Sequence, residues 1–529
     1  MGAAFSSPRG AIPTMASSPT PPPQSSFSPL ARVPHGTLSA AYADLCEGPW
    51  PGSGQLPVVY HPSYNISFMG FEKLHPFDSC KFAKVVSELR KRGVLREGQT
   101  STPREADPGT VLSDVHTADY LHRIHHENFT VVQVTELPAL SLLPNVLLQN
   151  KVVQPMRLHV GGTMLAAGLA LERGWAINLG GGMHHAAADR GMGWCPFDDI
   201  ALAVRRVRRA VAAAAGEQQG RVVADGDDGA FASAAGVAKV QAGAAEASTG
   251  RGGSGCGGQG SSSGTSGSGV LRVLLVDLDA HQGNGVERDK LSLPLPDFHI
   301  LDAYNALIFP RDETAKAAID IPLELSPGTG DEEYLGRLRE ALESVLGAEG
   351  EEGEEAEANK RATVGAGAAG TAATAAGGVA ARGGSSSSGG SGSSRLRHVS
   401  GTTTSSSRLG GGGGRRRARG GVLPAPPDLV IYNAGTDVLA GDPLGRLGLS
   451  RQGVVARDEM VWRWCRDVAR APVVMLLSGG YTKESAGVIA DSIENLFRVF
   501  GLAGNESGGG GDGDGHGGGS GGVALKSEL

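Results

Sequence analysis

The sequence predicts an α/β fold: a mostly parallel central sheet, doubly wound, with helices on both faces. Three observations predict it. Short apolar runs rich in β-branched residues recur along the chain, helical patterns alternate with them, and reactive side chains collect where the runs end. Near-continuous hydrophobicity marks strands covered on both faces, as parallel strands are.

In chain order, the first strand is LPVVY (56–60), followed by helices at 77–92 and 161–173. WAINL (175–179) is the next strand, and 199–215 the helix that returns from it. LRVLLVDLD (271–279) and FHILDAY (298–304) are the next candidate strands, with the near-continuous hydrophobicity of parallel strands covered on both faces. The helix at 331–346 carries an apolar stripe, Leu335, Leu338, Leu342 and Val345, behind the capping candidate Asp331. DLVIYNAG (428–435) and VVMLLSGG (473–480) complete the strands, with helices at 450–469 and 484–500.

The chain has 529 residues, yet its 82 glycines are concentrated in a few tracts. Segments 216–270, 347–421 and 505–529 are built from Gly, Ser, Ala and acidic residues, and residues 1–50 form a Ser/Pro/Ala-rich leader. Such compositions bury too little apolar surface to offset chain entropy. What is left, roughly 320 residues, suffices for one large α/β core. The expectation is a single folded domain over 51–504, interrupted by inserts at 216–270 and 347–421 and followed by a Gly-rich tail. Both inserts follow a helix and precede a strand. They therefore leave the sheet at the edge opposite the strands' carboxyl ends, where ligands bind in such folds.

A net charge of −7 gives no basic footprint for direct nucleic-acid binding. Arg415, Arg416, Arg417 and Arg419 form a basic run that reads as solvated linker charge, or alternatively as a nuclear address. Five scattered cysteines, without CxxC spacing, argue for a reducing compartment and against a disulfide frame. No apolar run reaches membrane-spanning length. The leader contains Arg9 and Arg32 and no acidic residue before Asp44. This is compatible with a plastid or mitochondrial transit peptide as well as with a plain tail of a nuclear or cytoplasmic protein.

Four segments place reactive groups at strand ends: GGGMHH (180–185), DLDAHQGNG (277–285), YNAGTD (432–437) and SGGY (478–481). Asp279 and His281, two apart in extended chain, face one side. With Asp437 they make an Asp/His/Asp set, and three protein ligands beside an open position is the pattern of a catalytic zinc site. Asp277 is better placed behind them, orienting a histidine or binding a monovalent cation. The glycines of DLDAHQGNG are read as serving its turn. Two carboxylates neutralise most of a zinc ion's charge, so such a site needs a nearby base, and His184 and His185 are the candidates. Tyr481 is placed to donate a hydrogen bond to a carbonyl that becomes an oxyanion. His116, His122, His125 and His126 are read as a solvated helix face, and Cys195 as a pocket-wall residue.

At these residues the sequence resembles the zinc-dependent histone deacetylases, the class IV (histone deacetylase 11) type in particular. The resemblance is carried by YNISFMGFEKLHPFD, ERGWAINLGGGMHH, DRGMGWCPFDDI, VDLDAHQGNGVERD, VIYNAGTDVLAGDPLGRLGLS and SGGYTKESAGVIADSI, in family order. It implies an arginase/deacetylase-like three-layer fold and hydrolysis of the amide on an acylated lysine of histones or other proteins. By the resemblance, Asp279, His281 and Asp437 are the zinc ligands and His185 is the general base. His184 is its electrostatic partner, paired with Asp277, and Tyr481 polarises the carbonyl. Gly193 and Trp194 match a tunnel wall. Asn284 stands beside the base, where class I relatives carry Asp and class IV relatives also carry Asn. Met183 replaces the Phe usual in class IV, which leaves the acyl-length preference, acetyl or long fatty acyl, open. A small acylated amine such as an acetylpolyamine is an alternative substrate. A catalytically silent acyl-lysine reader is the alternative outside enzymes, and a K+ ion beside Asp277 is a second cation.

Overall fold

The computed structural model describes residues 31–52, 54–67, 70, 75–224, 270–346 and 421–502. Among them seven strands form one all-parallel sheet: β1 (Val58–Val59), β2 (Trp175–Asn178), β3 (Val273–Asp277), β4 (Phe298–Asn305), β5 (Ile321–Leu325), β6 (Leu429–Asn433) and β7 (Val473–Leu476). Their spatial order is β1-β2-β7-β6-β3-β4-β5.

Successive side chains of a strand point to opposite faces, and the core divides accordingly. Ile177, Leu274, Val276, Val430, Tyr432 and Met475 pack on one face, beneath helices Lys81–Lys91, Asp331–Leu346, Arg451–Arg463 and Ser485–Phe500. Ala176, Val273, Leu275, Leu429, Ile431 and Leu476 pack on the other, against helices Gln154–Arg173 and Asp199–Ala224. The result is the expected three-layer α/β/α fold. No described helix is long and apolar enough to cross a membrane.

Three expectations need correction. Residues 31–50, assigned to the leader, are part of the domain: Leu38, Tyr42 and Leu45 are fully buried, and Glu172 accepts from Gly36 N (2.8 Å) and Leu38 N (2.7 Å). Burying a few apolar groups against the helix Gln154–Arg173 orders a segment whose composition alone reads as tail. The helix Asp199–Ala224 runs past residue 216, where the first insert was placed. Asp331 does not cap its own helix. It is that helix's first residue, and its Oδ1 accepts from Ser450 N (2.7 Å), fixing the start of the helix Arg451–Arg463.

Several elements went unread, among them the strand β5 and the helices Asn128–Thr135 and Asn284–Ser292. In β5, IPLEL alternates buried and exposed along an edge of the sheet and contains Pro322, so it lacks the continuous apolar signature. The helix Asn284–Ser292 is polar enough to read as a turn. The 1–30 segment, the arginine run at 415–419, Cys256 and the 505–529 tail lie outside the described residues. Cys46, Cys195 and Cys465 are free thiols.

The first insert joins the end of a helix to the start of β3, at the edge away from the strands' carboxyl ends. Replacing residues 226–268 by a short Gly/Ser linker should leave kcat/KM within about two-fold, as for surface connections remote from a site. Steady-state kinetics of the shortened chain checks this.

Candidate metal centre

The carboxyl ends of β2, β3, β6 and β7 lie side by side, and each leads into one of the four reactive segments. A crevice outside these ends is where parallel sheets bind ligands. Asp279, His281 and Asp437 converge there: one ligand atom from each lies within 4.8 Å of the others, and all three are buried. His281 Nδ1 sits 3.1 Å from Asp279 Oδ1 and 2.7 Å from Asp437 Oδ2. Backbone amides hold both carboxylates. Asp279 accepts from His281 N (3.0 Å) and Gly479 N (2.9 Å), and Asp437 from Ala280 N (2.8 Å).

The donor chemistry fits a divalent cation. Burial and repulsion from Asp279 push Asp437 up to about 7. Burial opposes a charge on His281, yet the two carboxylates outweigh it and raise its pKa to about 10. Two buried acids and one imidazole therefore form a pocket that favours positive charge, with the carboxylate and imidazole donors zinc accepts.

Behind this set, the strand register brings Asp277 opposite Asn433 on one side and Asp302 on the other. Asp277 Oδ1 accepts from Asn433 Nδ2 (2.9 Å), while Oδ2 meets His184 Nδ1 at 2.9 Å. Burial disfavours a charged His184, but Asp277, with Asp279 next, prevails and raises it to about 9. His185 goes the other way. Burial, and then the charge of its neighbours His184 and His281, hold it well below the usual histidine range. Its Nδ1 lies 2.9 Å from Asn284 Oδ1, an oxygen that can only accept. The proton therefore sits on Nδ1, and Nε2 carries the free lone pair.

The glycines of DLDAHQGNG do more than turn the chain. Gly285 lies in the first turn of the helix Asn284–Ser292, and a Cβ there would stand 2.3 Å from the His185 carbonyl carbon. Contact that close lets Gly285 N (3.0 Å) and Val286 N (3.2 Å) donate to His184 O. Across the crevice Gly182, at φ +83°, gives its amide to Asp199 Oδ2 (2.9 Å), and Met183 N donates to Asp199 Oδ1 (2.7 Å). The histidine pair is thus gripped from both sides.

Several residues of the site were not picked out in the sequence. Lys81 is fully buried and donates to the carbonyls of Ser478 and Gly479, the latter at 2.7 Å. Burial lowers it to about 8 despite the pull of Asp279 and Asp437. Arg457 is equally buried, and its Nη1 donates to Leu278 O (3.1 Å) and Gly435 O (2.6 Å), tying together the two segments that carry Asp279 and Asp437. Asp442 accepts from Tyr481 N (2.8 Å). Phe309 lies against the His185 ring at 5.2 Å, forming a wall of the crevice. A lysine or arginine on an amphipathic helix reads as solvent-facing, so nothing in the sequence marks Lys81 or Arg457 apart from their neighbours.

Tyr481 is half-buried at the mouth, 5.9 Å from the His281 ring. Burial, then Asp279 and Asp437, raise its phenol well above the usual value, so it stays a donor. Gly193 and Trp194 line the crevice, Trp194 packing on Phe77 (5.2 Å) and His75 (5.5 Å). Met183 and Cys195 line an inner cavity that continues past His184 to Tyr64, Phe82 and Met156. Burial raises the Cys195 thiol well above its usual range, which agrees with a wall residue rather than a nucleophile.

The reading of the four histidines as one solvated face is corrected for His116. It is buried before the helix Ala118–His126, and its Nε2 accepts from Asp198 N (3.0 Å). His122 and His126 are exposed and His125 is half-buried. The helix presents only part of the motif to water, because His116 precedes it and turns inward.

Fold and crevice together define an α/β enzyme with a candidate metal centre at its strand ends. The Histone deacetylase domain family matches residues 75–215 and 424–497. "Histone deacetylase 2" of Arabidopsis thaliana is 36% identical over 451 residues, covering 84% of this chain and 79% of that protein. A "Probable deacetylase" of Methanothermobacter thermautotrophicus is 52% identical over 155 residues, 29% of this chain and 42% of that protein. "Acetoin utilization protein AcuC" of Bacillus subtilis is 31% identical over 157 residues, 28% and 39% respectively. The chain belongs to the histone deacetylase family, and is a hydrolase of the deacetylase kind.

Lys81→Met should leave the buried Ser478 carbonyl unpaired, while Gly479 O keeps Thr436 N (3.2 Å), and destabilise the domain by about 2 kcal/mol, the cost of an orphaned acceptor. Chemical denaturation of the variant beside Lys81→Arg, which can restore one donor, measures it.

Proposed function

We propose that this enzyme is a zinc-dependent protein-lysine deacylase of the class IV (histone deacetylase 11) type, acting on acylated lysine of histones or other proteins. The observation that carries the reading is the convergence of Asp279, His281 and Asp437 in front of a histidine pair whose two rings are tuned in opposite directions. The class IV assignment rests on EKLHPFD and DLDAHQGNG, and on Asn284 beside the base.

Asp279, His281 and Asp437 would hold the zinc, which would supply Lewis acidity to a water and to the amide carbonyl. The chain's own groups do the rest. His185, neutral and with Nε2 free, takes the proton of the attacking water and later gives it to the departing lysine amine. His184, kept charged by Asp277, adds positive potential where negative charge develops. The Tyr481 hydroxyl donates to the carbonyl oxygen as it becomes an anion. Gly193–Trp194 and Phe309 wall the approach and keep water from the reacting amide.

K+ beside Asp277 belongs to the same reading. Asp302, its register partner, and Glu287 bring two further buried carboxyl groups to that side of Asp277. The apolar inner cavity beyond Met183, reaching Phe82 and Met156, favours an acyl chain longer than acetyl. An acetylpolyamine would need carboxylates at the mouth to hold its remaining ammonium groups. The described mouth offers Glu136, which faces His75 at 3.5 Å, beside Arg311 and Arg446. A silent reader would have no use for an activated base.

Asp279→Asn should abolish both bound zinc and hydrolysis, read by metal analysis and by turnover of acetyl- and myristoyl-lysine peptides; retained turnover would remove Asp279 from the ligand set. Tyr481→Phe should keep the zinc and lower kcat by about 10²-fold, as for loss of an oxyanion donor. The base works only when unprotonated, so a low His185 pKa keeps the acid limb of the kcat/KM profile at low pH. Asn284→Asp stabilises the imidazolium and should move that limb up by about one pH unit or more. An unmoved limb would assign it to another group.

A further inference from the structure

Among the described residues seven other than glycine have a left-handed backbone, and four of them, Glu136, Trp194, Arg311 and Arg446, line the mouth of the crevice. Trp194 is accounted for as a wall, and Glu136 by its approach to His75. The two arginines remain. Arg311 (φ 56°) and Arg446 (φ 54°) are both exposed. Glycine would take this backbone without strain, so what an arginine adds at each position is its guanidinium.

Neither guanidinium has a carboxylate partner among the described residues. Arg311 Nη2 donates to Leu307 O (2.6 Å) across the turn that carries Phe309, and Arg446 is fixed through its backbone, whose carbonyl accepts from Gly328 N (2.8 Å). Arginines elsewhere in the domain are neutralised: Arg288 by Asp312, Arg457 by Asp458, Arg451 by Asp491. Two guanidinium groups without a carboxylate partner among the described residues thus stand at the entrance through which the acyl-lysine passes.

We infer that Arg311 and Arg446 form a docking site for a carboxylate side chain close in sequence to the acylated lysine, so that the enzyme selects acyl-lysines with acidic neighbours. Planar guanidinium groups match carboxylates through paired N–H donors. The inference rests on the deacylase reading, because it names the neighbourhood of that substrate.

The test uses the zinc-loaded full chain and acyl-lysine peptides that differ only by Glu or Gln, one or two residues from the acylated lysine. At low ionic strength KM for the best Glu peptide should be about five- to ten-fold below its Gln twin with kcat unchanged, and added salt should shrink the difference. In Arg311→Gly/Arg446→Gly, which suits both backbones, the ratio should fall to about one. Equal KM values in the wild type, or a ratio that survives in the double variant, would overturn the inference. If neither peptide is turned over, the deacylase reading fails. The Glu/Gln contrast is then read as binding by fluorescence anisotropy, where equal affinities overturn the docking site on their own account.

Discussion

Everything in the crevice depends on two carboxylates, Asp279 and Asp437, buried beside each other at the ends of adjoining strands. Buried like charges are tolerated only where hydrogen bonds and opposite charge compensate them. The surroundings provide both. Amides of residues 280, 281 and 479 point at the carboxylate oxygens. Arg457 and Lys81, both without exposure, grip carbonyls of the segments that carry or flank them. The remaining imbalance is what a divalent cation would relieve.

The same imbalance separates the two histidines. His184 is close enough to Asp277 and Asp279 to be held charged, and that charge, added to burial, keeps its neighbour His185 neutral. Adjacent rings 4.2 Å apart thus take opposite protonation states, which is what a base beside an electrostatic partner requires. The fold achieves this by combining parallel register with the helix that follows β3. Asp277 lies opposite Asn433 and Asp302, and the helix at Asn284 begins where the chain leaves β3.

Much of this was legible in the sequence because its signals are local. Continuous apolar strands need no tertiary context, and parallel topology then gathers the strand-end motifs into one crevice; Asp279 and His281 stand not on extended chain but in the bend that follows β3, where His281 N donates to Asp279. What escaped notice depends on packing between distant segments. Lys81 sits on a helix of ordinary amphipathic pattern, and only docking onto the 478–479 turn reveals its role. Arg457 likewise reads as a surface residue until it is found bridging residues 278 and 435. β5 was missed because an edge strand alternates, and residues 31–50 because their few apolar groups are decisive only against the helix Gln154–Arg173. The left-handed arginines at the mouth have no sequence signal, since backbone conformation there is set by neighbouring turns.

Anomalous diffraction at the zinc absorption edge, from crystals of catalytically active protein, tests the central claim most directly. The account predicts one strong peak enclosed by Asp279, His281 and Asp437. An active crystal with no peak there, or with its zinc bound elsewhere, would contradict it.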